Sequence, residues 1–413
     1  MTLTEEAIQQ APTSGVWGGV VGQPGAVRTL STAARAAADL VEGRPITPGA
    51  MTHAWLFTGP PGSGRSVAAR AFAAALQCVQ PDADGVRGCG ECRPCHTALG
   101  GTNADVRLVV PEGLSIAVAE MRALVQIAAR RPTGGRWQVV IIEDADRLTE
   151  GAANALLKAV EEPPARTVFL LCAPSDHPED VSVTIRSRCR VLALGTPTVA
   201  AIEDVLRRRD GIPADLAAWA ASVCGGHVGR ARRLATDPEA RARREAVLRI
   251  PTGLRRPNDV FTSADELVKT AEAEAAAVSE AKDGVERDAL ETALGGGGTG
   301  KGVAAAARGA KSAIKDLEKR QKSRATRTQR DALDLALVDL AGFYRDVLTA
   351  RLGADVPLNH PDCVADIRTA AAAWTPEATL KRLEAVLACR DALGMNVKPR
   401  IAIEAMVTTL HHG

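Results

Sequence analysis

The chain has 413 residues, of which 46% are hydrophobic and only 3% aromatic, and its 51 Lys and Arg nearly balance 49 Asp and Glu. Such a length suggests two or three domains with cores built mostly from Ala, Val and Leu. A net charge of +2 excludes a polyanion-binding surface spread over the whole molecule, so any nucleic-acid contact has to be local.

Residues 1–15 read as a flexible lead. Glu5 and Glu6 and the absence of an apolar core argue against a signal peptide there. No apolar run approaches the roughly 20 residues that span a bilayer. The expectation is a cytosolic chain with no membrane partner, its nine cysteines reduced or metal-bound. A box Val20-Val21-Gly22-Gln23 precedes a helix expected over 26–42, with apolar Val27, Leu30, Ala34, Ala38 and Leu40.

Residues 54–57, Ala-Trp-Leu-Phe, read as a short buried strand, and 67–76 as an alanine-rich helix. Between them lie Gly59, Pro60, Pro61, Gly62, Ser63, Gly64, Arg65 and Ser66. Strand, G-x-x-x-x-G turn and helix form the phosphate-loop arrangement, in which backbone N–H groups and a helix N-terminus face one anion. Gly59, Gly62, Gly64, Arg65 and Ser66 are therefore the candidate nucleotide-binding residues. The motif wants Lys where this chain has Arg65, and a planar fork does not replace a compact ammonium freely. ATP or ADP is thus a possible ligand of an altered frame.

Cys78, Cys89, Cys92 and Cys95 follow with the spacing C-x10-C-x2-C-x2-C. Four thiolates close a tetrahedral Zn²⁺ site, so this segment reads as a structural metal module at 78–96. A redox pair is the competing reading, and His96 a substitute ligand. Strands are expected at 105–110, 137–142, 167–172 and 191–194, with helices at 117–130 and, capped by Thr149, up to 162. The continuous apolar run 137–142 marks a central parallel strand. Glu143 and Asp144 end it, where acids beside a phosphate loop position Mg²⁺ and water. Strands alternating with helices in this way give a doubly wound α/β domain.

These elements resemble the AAA+ clamp-loader family, and within it the stator branch of the bacterial DNA polymerase III loader. The residues that carry the resemblance are the 20–23 box, the 59–66 loop and the four-cysteine insert. With them go Ala155-Leu156-Leu157-Lys158-Ala159-Val160-Glu161-Glu162-Pro163-Pro164 and Ser187-Arg188-Cys189. The resemblance covers roughly residues 15–195. It implies an AAA+ domain at 16–195, a zinc module, a helical lid at 196–240 and an all-α collar at 241–413. It implies that Arg188 reaches in trans into the ATP site of an adjacent subunit; the plainer reading of Arg188 is a surface salt bridge. It implies partners too: motor and delta-type subunits in a hetero-oligomeric ring that loads a sliding clamp onto primed DNA, with polymerase chemistry in other subunits. Motor subunits keep Lys, Asp and Glu where this chain has Arg65, Glu143 and Asp144. They also carry a lid arginine where Gly229 stands here; Arg230 comes one residue late, a turn of roughly 100° on a helix. The four departures imply a subunit that does not turn over ATP. The alternative is an active ATPase, either a motor subunit or another AAA+ remodeller.

Beyond 197 the pattern is helical, with lid helices expected at 198–209, 213–224 and 228–235. A glycine tract at 295–300 interrupts the C-terminal region, and 295–330 holds ten basic residues against Asp316 and Glu318. This stretch reads as a solvated linker followed by an exposed charged helix, rather than as a DNA-binding arm. Apolar-faced helices are expected at 331–352, 375–393 and 399–410.

Overall fold

The computed structural model describes residues 14–82, 85–134, 136–293 and 303–413, so nearly all of the expected flexible lead and the glycine tract lie outside the described residues. The chain forms two compact units. The first holds the chain up to Pro111 and Ser115–Ala235, and the second holds Glu112–Leu114 and Thr236–Gly413.

The first unit is built on five parallel strands. They are β1 (Ala54–Thr58), β2 (Val106–Val109), β3 (Gln138–Ile142), β4 (Thr167–Ala173) and β5 (Arg190–Ala193), in the order β2-β3-β4-β1-β5. Every residue of β1, β3 and β4 is buried, as expected of strands covered on both faces, whereas the edge strands β2 and β5 are partly exposed. One face packs Trp55, Phe57, Val139 and Ile141 against α1 (Pro24–Val41), α2 (Arg65–Gln77) and α3 (Arg93–Leu99). Trp55 and Phe72 of α2 meet edge-on with centroids 5.2 Å apart. Alanines at 68, 69, 71, 73, 74 and 75, all buried, let α2 lie close to the sheet. The other face packs Leu56, Val140 and Phe169 against α4 (Val118–Ala128), α5 (Glu150–Glu161) and α6 (Val183–Arg186). Thr149 caps α5, its Oγ1 accepting from the Ala152 N–H at 3.3 Å, a bond worth about 1 kcal/mol. Three helices complete the unit: α7 (Val199–Arg208), α8 (Ala214–Val223) and α9 (Val228–Thr236).

The second unit is helical: α10 (Pro238–Gly253), α11 (Pro257–Ala293), α12 (Val303–Arg351), α13 (Val364–Ala373), α14 (Pro376–Gly394) and α15 (Pro399–His412). Leu337, Leu340, Phe343, Tyr344, Val347, Ile403 and Val407 form the centre of its core. The expected helix at 331–352 is the second half of one 49-residue helix that already begins at Val303. Its first half is stabilised across a hairpin rather than by a broad apolar stripe. Arg324 donates to Asp283 at 2.7 Å and to Glu286 at 2.7 and 2.8 Å, and Arg287 donates to Glu318 at 2.8 Å. Charges that read as solvated in sequence therefore serve as cross-helix partners, while Lys315, Lys319 and Lys322 remain exposed. Among the described residues no helix is long and apolar enough to cross a membrane.

Candidate functional site

The two ends of α2 carry the two sites expected from the sequence. Cys78 caps its C-terminus, Cys89 and Cys92 follow in a tight turn, and Cys95 lies in the first turn of α3. The four Sγ atoms all lie within 4.8 Å of one another. Cys78 Sγ is 3.7 Å from that of Cys89 and 4.0 Å from that of Cys92. A tetrahedron with Zn–S bonds of about 2.3 Å has edges of about 3.8 Å, so the sulfurs are already spaced to surround one ion. Three of the four cysteines are buried, which closes the site to substrate, and His96 is not part of the group. A hydrogen bond with Cys95 pulls the Cys78 thiol down to about 4, toward the thiolate that a metal takes, and the same contact raises Cys95. The module is fastened to the short 3-10 helix Gly15–Gly19. Val16 N–H donates to Gly88 O at 3.0 Å, and Trp17 Nε1–H donates to Arg87 O at 2.9 Å. These four cysteines can hold a metal ion.

At the N-terminal end of α2 the glycine loop has the expected shape. Gly62 has φ +88°, and a Cβ there would lie 2.6 Å from His227, the residue just before α9. Gly64 caps α2 in the left-handed region, at φ +92°. Gln23 of the 20–23 box is buried and ties the loop down: its Nε2 donates to Ser63 O at 3.2 Å and to Gly195 O at 2.5 Å, and its Oε1 accepts from Gly195 N–H at 3.2 Å. Ser63 Oγ and Arg65 Nη1 are buried and have no hydrogen-bond partner, as does Asp146 Oδ1 beyond β3. The Ser63 and Arg65 donors left open in this way, beside loop amides and a helix N-terminus, fit a phosphate group.

The acids at the end of β3 do not face that loop freely. Arg70, on α2, donates from Nη2 to Glu143 Oε1 at 2.8 Å. Asp144 takes a left-handed backbone, φ 51°, and its Oδ2 lies 3.9 Å from Arg147 Nε. Asp146 is the acid whose pKa is raised, chiefly by burial. Burial likewise lowers the pKa of His227, with Arg230 adding to the shift, so its ring rests neutral against the loop.

Arg188 lies beyond α6. It donates from Nη1 to Thr184 O at 2.9 Å and to Ser187 Oγ at 3.2 Å, and its Nη2 is 2.7 Å from Glu161 Oε1 at the end of α5. The register Trp55↔Arg190 puts this segment at the N-terminal end of the parallel sheet, whereas the glycine loop leaves the C-terminal end of β1. Arg188 thus belongs to the end of the sheet opposite its own loop.

Comparison with known proteins bears on this arrangement. Residues 41–198 match the profile of the family described as "DNA polymerase III, delta subunit". DNA polymerase III subunit delta' of Pseudomonas aeruginosa is 37% identical over 185 residues, 44% of this chain and 55% of the relative. The Bacillus subtilis subunit of the same name is 36% identical over 163 residues, 40% and 48% of the two chains. Residues 41–198 resemble DNA polymerase III subunits of the delta and delta' type. The chain spans about half the length of these curated relatives. The tau subunit of B. subtilis is also similar, at 35% identity over 140 residues, 34% of this chain and 24% of the relative.

In this segment a five-stranded parallel sheet is covered by helices on both faces. The structure brings Cys78, Cys89, Cys92 and Cys95 together, and sets Gly59, Gly62, Gly64, Arg65 and Ser66 in one loop. It diverts Glu143 to Arg70. Three participants escaped the sequence reading: Arg70, His227 and Asp146. His227 follows the pair Gly225-Gly226, both with positive φ, and that pair was the available signal for a tight approach to the loop.

Proposed function

We propose that this chain is the delta-prime stator of a DNA polymerase III clamp loader. It does not hydrolyse ATP, and it lends Arg188 to the nucleotide site of a neighbouring subunit in the ring that places a sliding clamp on primed DNA. The observation that carries the reading is the rewired loop. Arg65 stands where hydrolysing relatives have Lys, while Glu143 is held by Arg70 and Asp144 lies near Arg147. A carboxylate already bonded to an arginine is a poor positioner of Mg²⁺ or water, so the frame fits phosphate but not turnover.

Arg188 supports the same reading from the other side. Placed away from its own loop and held by Glu161, its guanidinium is available to a neighbour at the cost of one exposed ion pair. Exposed pairs of this kind contribute at most about 1 kcal/mol, so exchange of Glu161 for a phosphoryl group is cheap. A fork of N–H donors stabilises the charge that spreads over the transferring phosphoryl oxygens. The ion we assign to the four cysteines is Zn²⁺, in a structural role: it ties the end of α2 to the start of α3 and supplies no chemistry to the loop.

Two measurements test the proposal. The purified chain alone should show no ATP turnover above background; measurable turnover would favour the motor-subunit or remodeller reading, toward which the match to tau points. In a reconstituted loader, Arg188→Ala should leave assembly intact and lower hydrolysis at one interface by roughly three to five orders of magnitude. The bulk rate should fall much less, since the other interfaces keep their own arginines. Arg188→Lys should not rescue that interface. Unchanged interface rates would make Arg188 a structural residue.

A further inference from the structure

A second concentration of unpaired positive charge lies in the first unit. Arg28, Thr29, Thr32, Thr47, Gly49 and Arg190 line a cavity of about 420 Å³ formed by the first turns of α1, the loop before β1 and the start of β5. It shares no residue with the glycine loop or the cysteine module.

The two arginines differ from the others around them. Arg44, Arg70 and Arg87 each sit on a carboxylate. Arg28 and Arg190 have no carboxylate partner among the described residues, and none lines the cavity. Arg28 Nη1 is buried and bonds to nothing. Arg190 is held in place without being neutralised: its guanidinium carbon lies 5.0 Å from the centroid of the Trp55 ring, and Nη1 donates to Gly49 O at 3.3 Å. The rest of its five-donor fork stays open. Thr29 Oγ1 donates to Gly25 O, whereas the hydroxyls of Thr32 and Thr47 are uncommitted.

We propose that this cavity is a phosphate-binding site. Two uncompensated guanidinium charges call for phosphate rather than a single carboxylate: a monoester brings nearly two charges at neutral pH, and successive diesters of a strand bring one each. Guanidinium forks and hydroxyl donors match its oxygens. The Trp55 ring is wholly buried beneath Arg190, so it offers no platform on which a base stacks. Recognition therefore falls on the phosphate group itself, whether that group belongs to a small ester or to a nucleic-acid strand. The inference does not depend on the stator reading.

Trp55 provides a local reporter. In the full-length chain at constant ionic strength, titration with inorganic phosphate should shift the Trp55 indole N–H resonance saturably. Arg28→Gln and Arg190→Ala should each weaken that binding roughly tenfold, the loss of one charged hydrogen-bonding group. Arg190→Lys should fall between wild type and Arg190→Ala. Circular dichroism of each variant should match the wild type, as expected for a side chain on an exposed edge strand and one on a helix surface. Displacement of phosphate by a nucleoside 5′-monophosphate would identify a small ester as the source, and displacement only by a single-stranded oligonucleotide would identify a strand; both support the site. An unmoved Trp55 signal, or an equal shift in the folded Arg28→Gln/Arg190→Ala double variant, would overturn it.

Discussion

The two ends of α2 make an instructive pair. At its C-terminus four sulfurs converge within 4.8 Å of one another. At its N-terminus the backbone frame is kept, with Gly62 and Gly64 at positive φ, but Glu143 is bonded to Arg70 and Asp144 lies near Arg147. A metal module depends on side-chain donors alone, so it stands or falls with them. A phosphate loop depends first on backbone N–H groups, and it can keep its shape after the groups needed for hydrolysis are gone.

The comparison is broken most severely at the cysteines. Cys92→Ser should abolish metal binding, from one Zn²⁺ per chain to none by elemental analysis, because binding to a four-thiolate site is worth on the order of 10 kcal/mol. Proteolysis should then cut within 78–96 while the sheet stays folded, since Leu56, Val140 and Phe169 pack on the face that holds none of the four cysteines.

At the loop the effects are smaller. Gln23→Ala removes the buried side chain that bonds Ser63 O and both backbone groups of Gly195, and with it the tie between the loop and the end of β5. A loss of about 2 kcal/mol in urea denaturation is expected, and an unchanged midpoint would mean that water replaces the amide without cost.

The smallest expected effect is a pH dependence at His227. The unfolded imidazole titrates near about 6.5, and burial lowers the folded value. The unfolded state therefore binds the proton more readily. Stability from the neutral ring is fully present above the unfolded value and is lost as pH falls below it toward the folded one. Protection factors of α9 amides, which are corrected for the intrinsic pH dependence of exchange, should fall between roughly pH 7 and pH 5, and His227→Gln should flatten that fall. Reading α9 locally keeps the effect apart from that of His360, another buried histidine with a lowered pKa.

The sheet was legible because β1, β3 and β4 are short apolar runs with turn residues after them, and because the cysteine spacing is dense. The glycine loop was legible for the same local reason. What sequence could not show was pairing at a distance. Glu143 and Arg70 stand on different elements, and nothing in either segment names the other. The first half of α12 is a charged helix, as its composition suggested, but its ion pairs to Asp283 and Glu286 on the preceding helix lie outside any window confined to 303–330. His227 meets Gly62 only after the lid folds back.

The strand order also constrains the birth of the molecule. Ala54 of β1 lies opposite Phe169 of β4, and Trp55 lies opposite Arg190 of β5, so both neighbours of this interior strand are made long after it. During synthesis β1 leaves the ribosome with two unpaired edges and must wait for most of the first unit to follow. Such distant pairing is slow and leaves apolar strand edges open to wrong partners. The cysteine module sits inside that waiting stretch and its ligands are close in sequence. Metal capture is therefore an early, local event that can anchor α2 before the sheet closes around it.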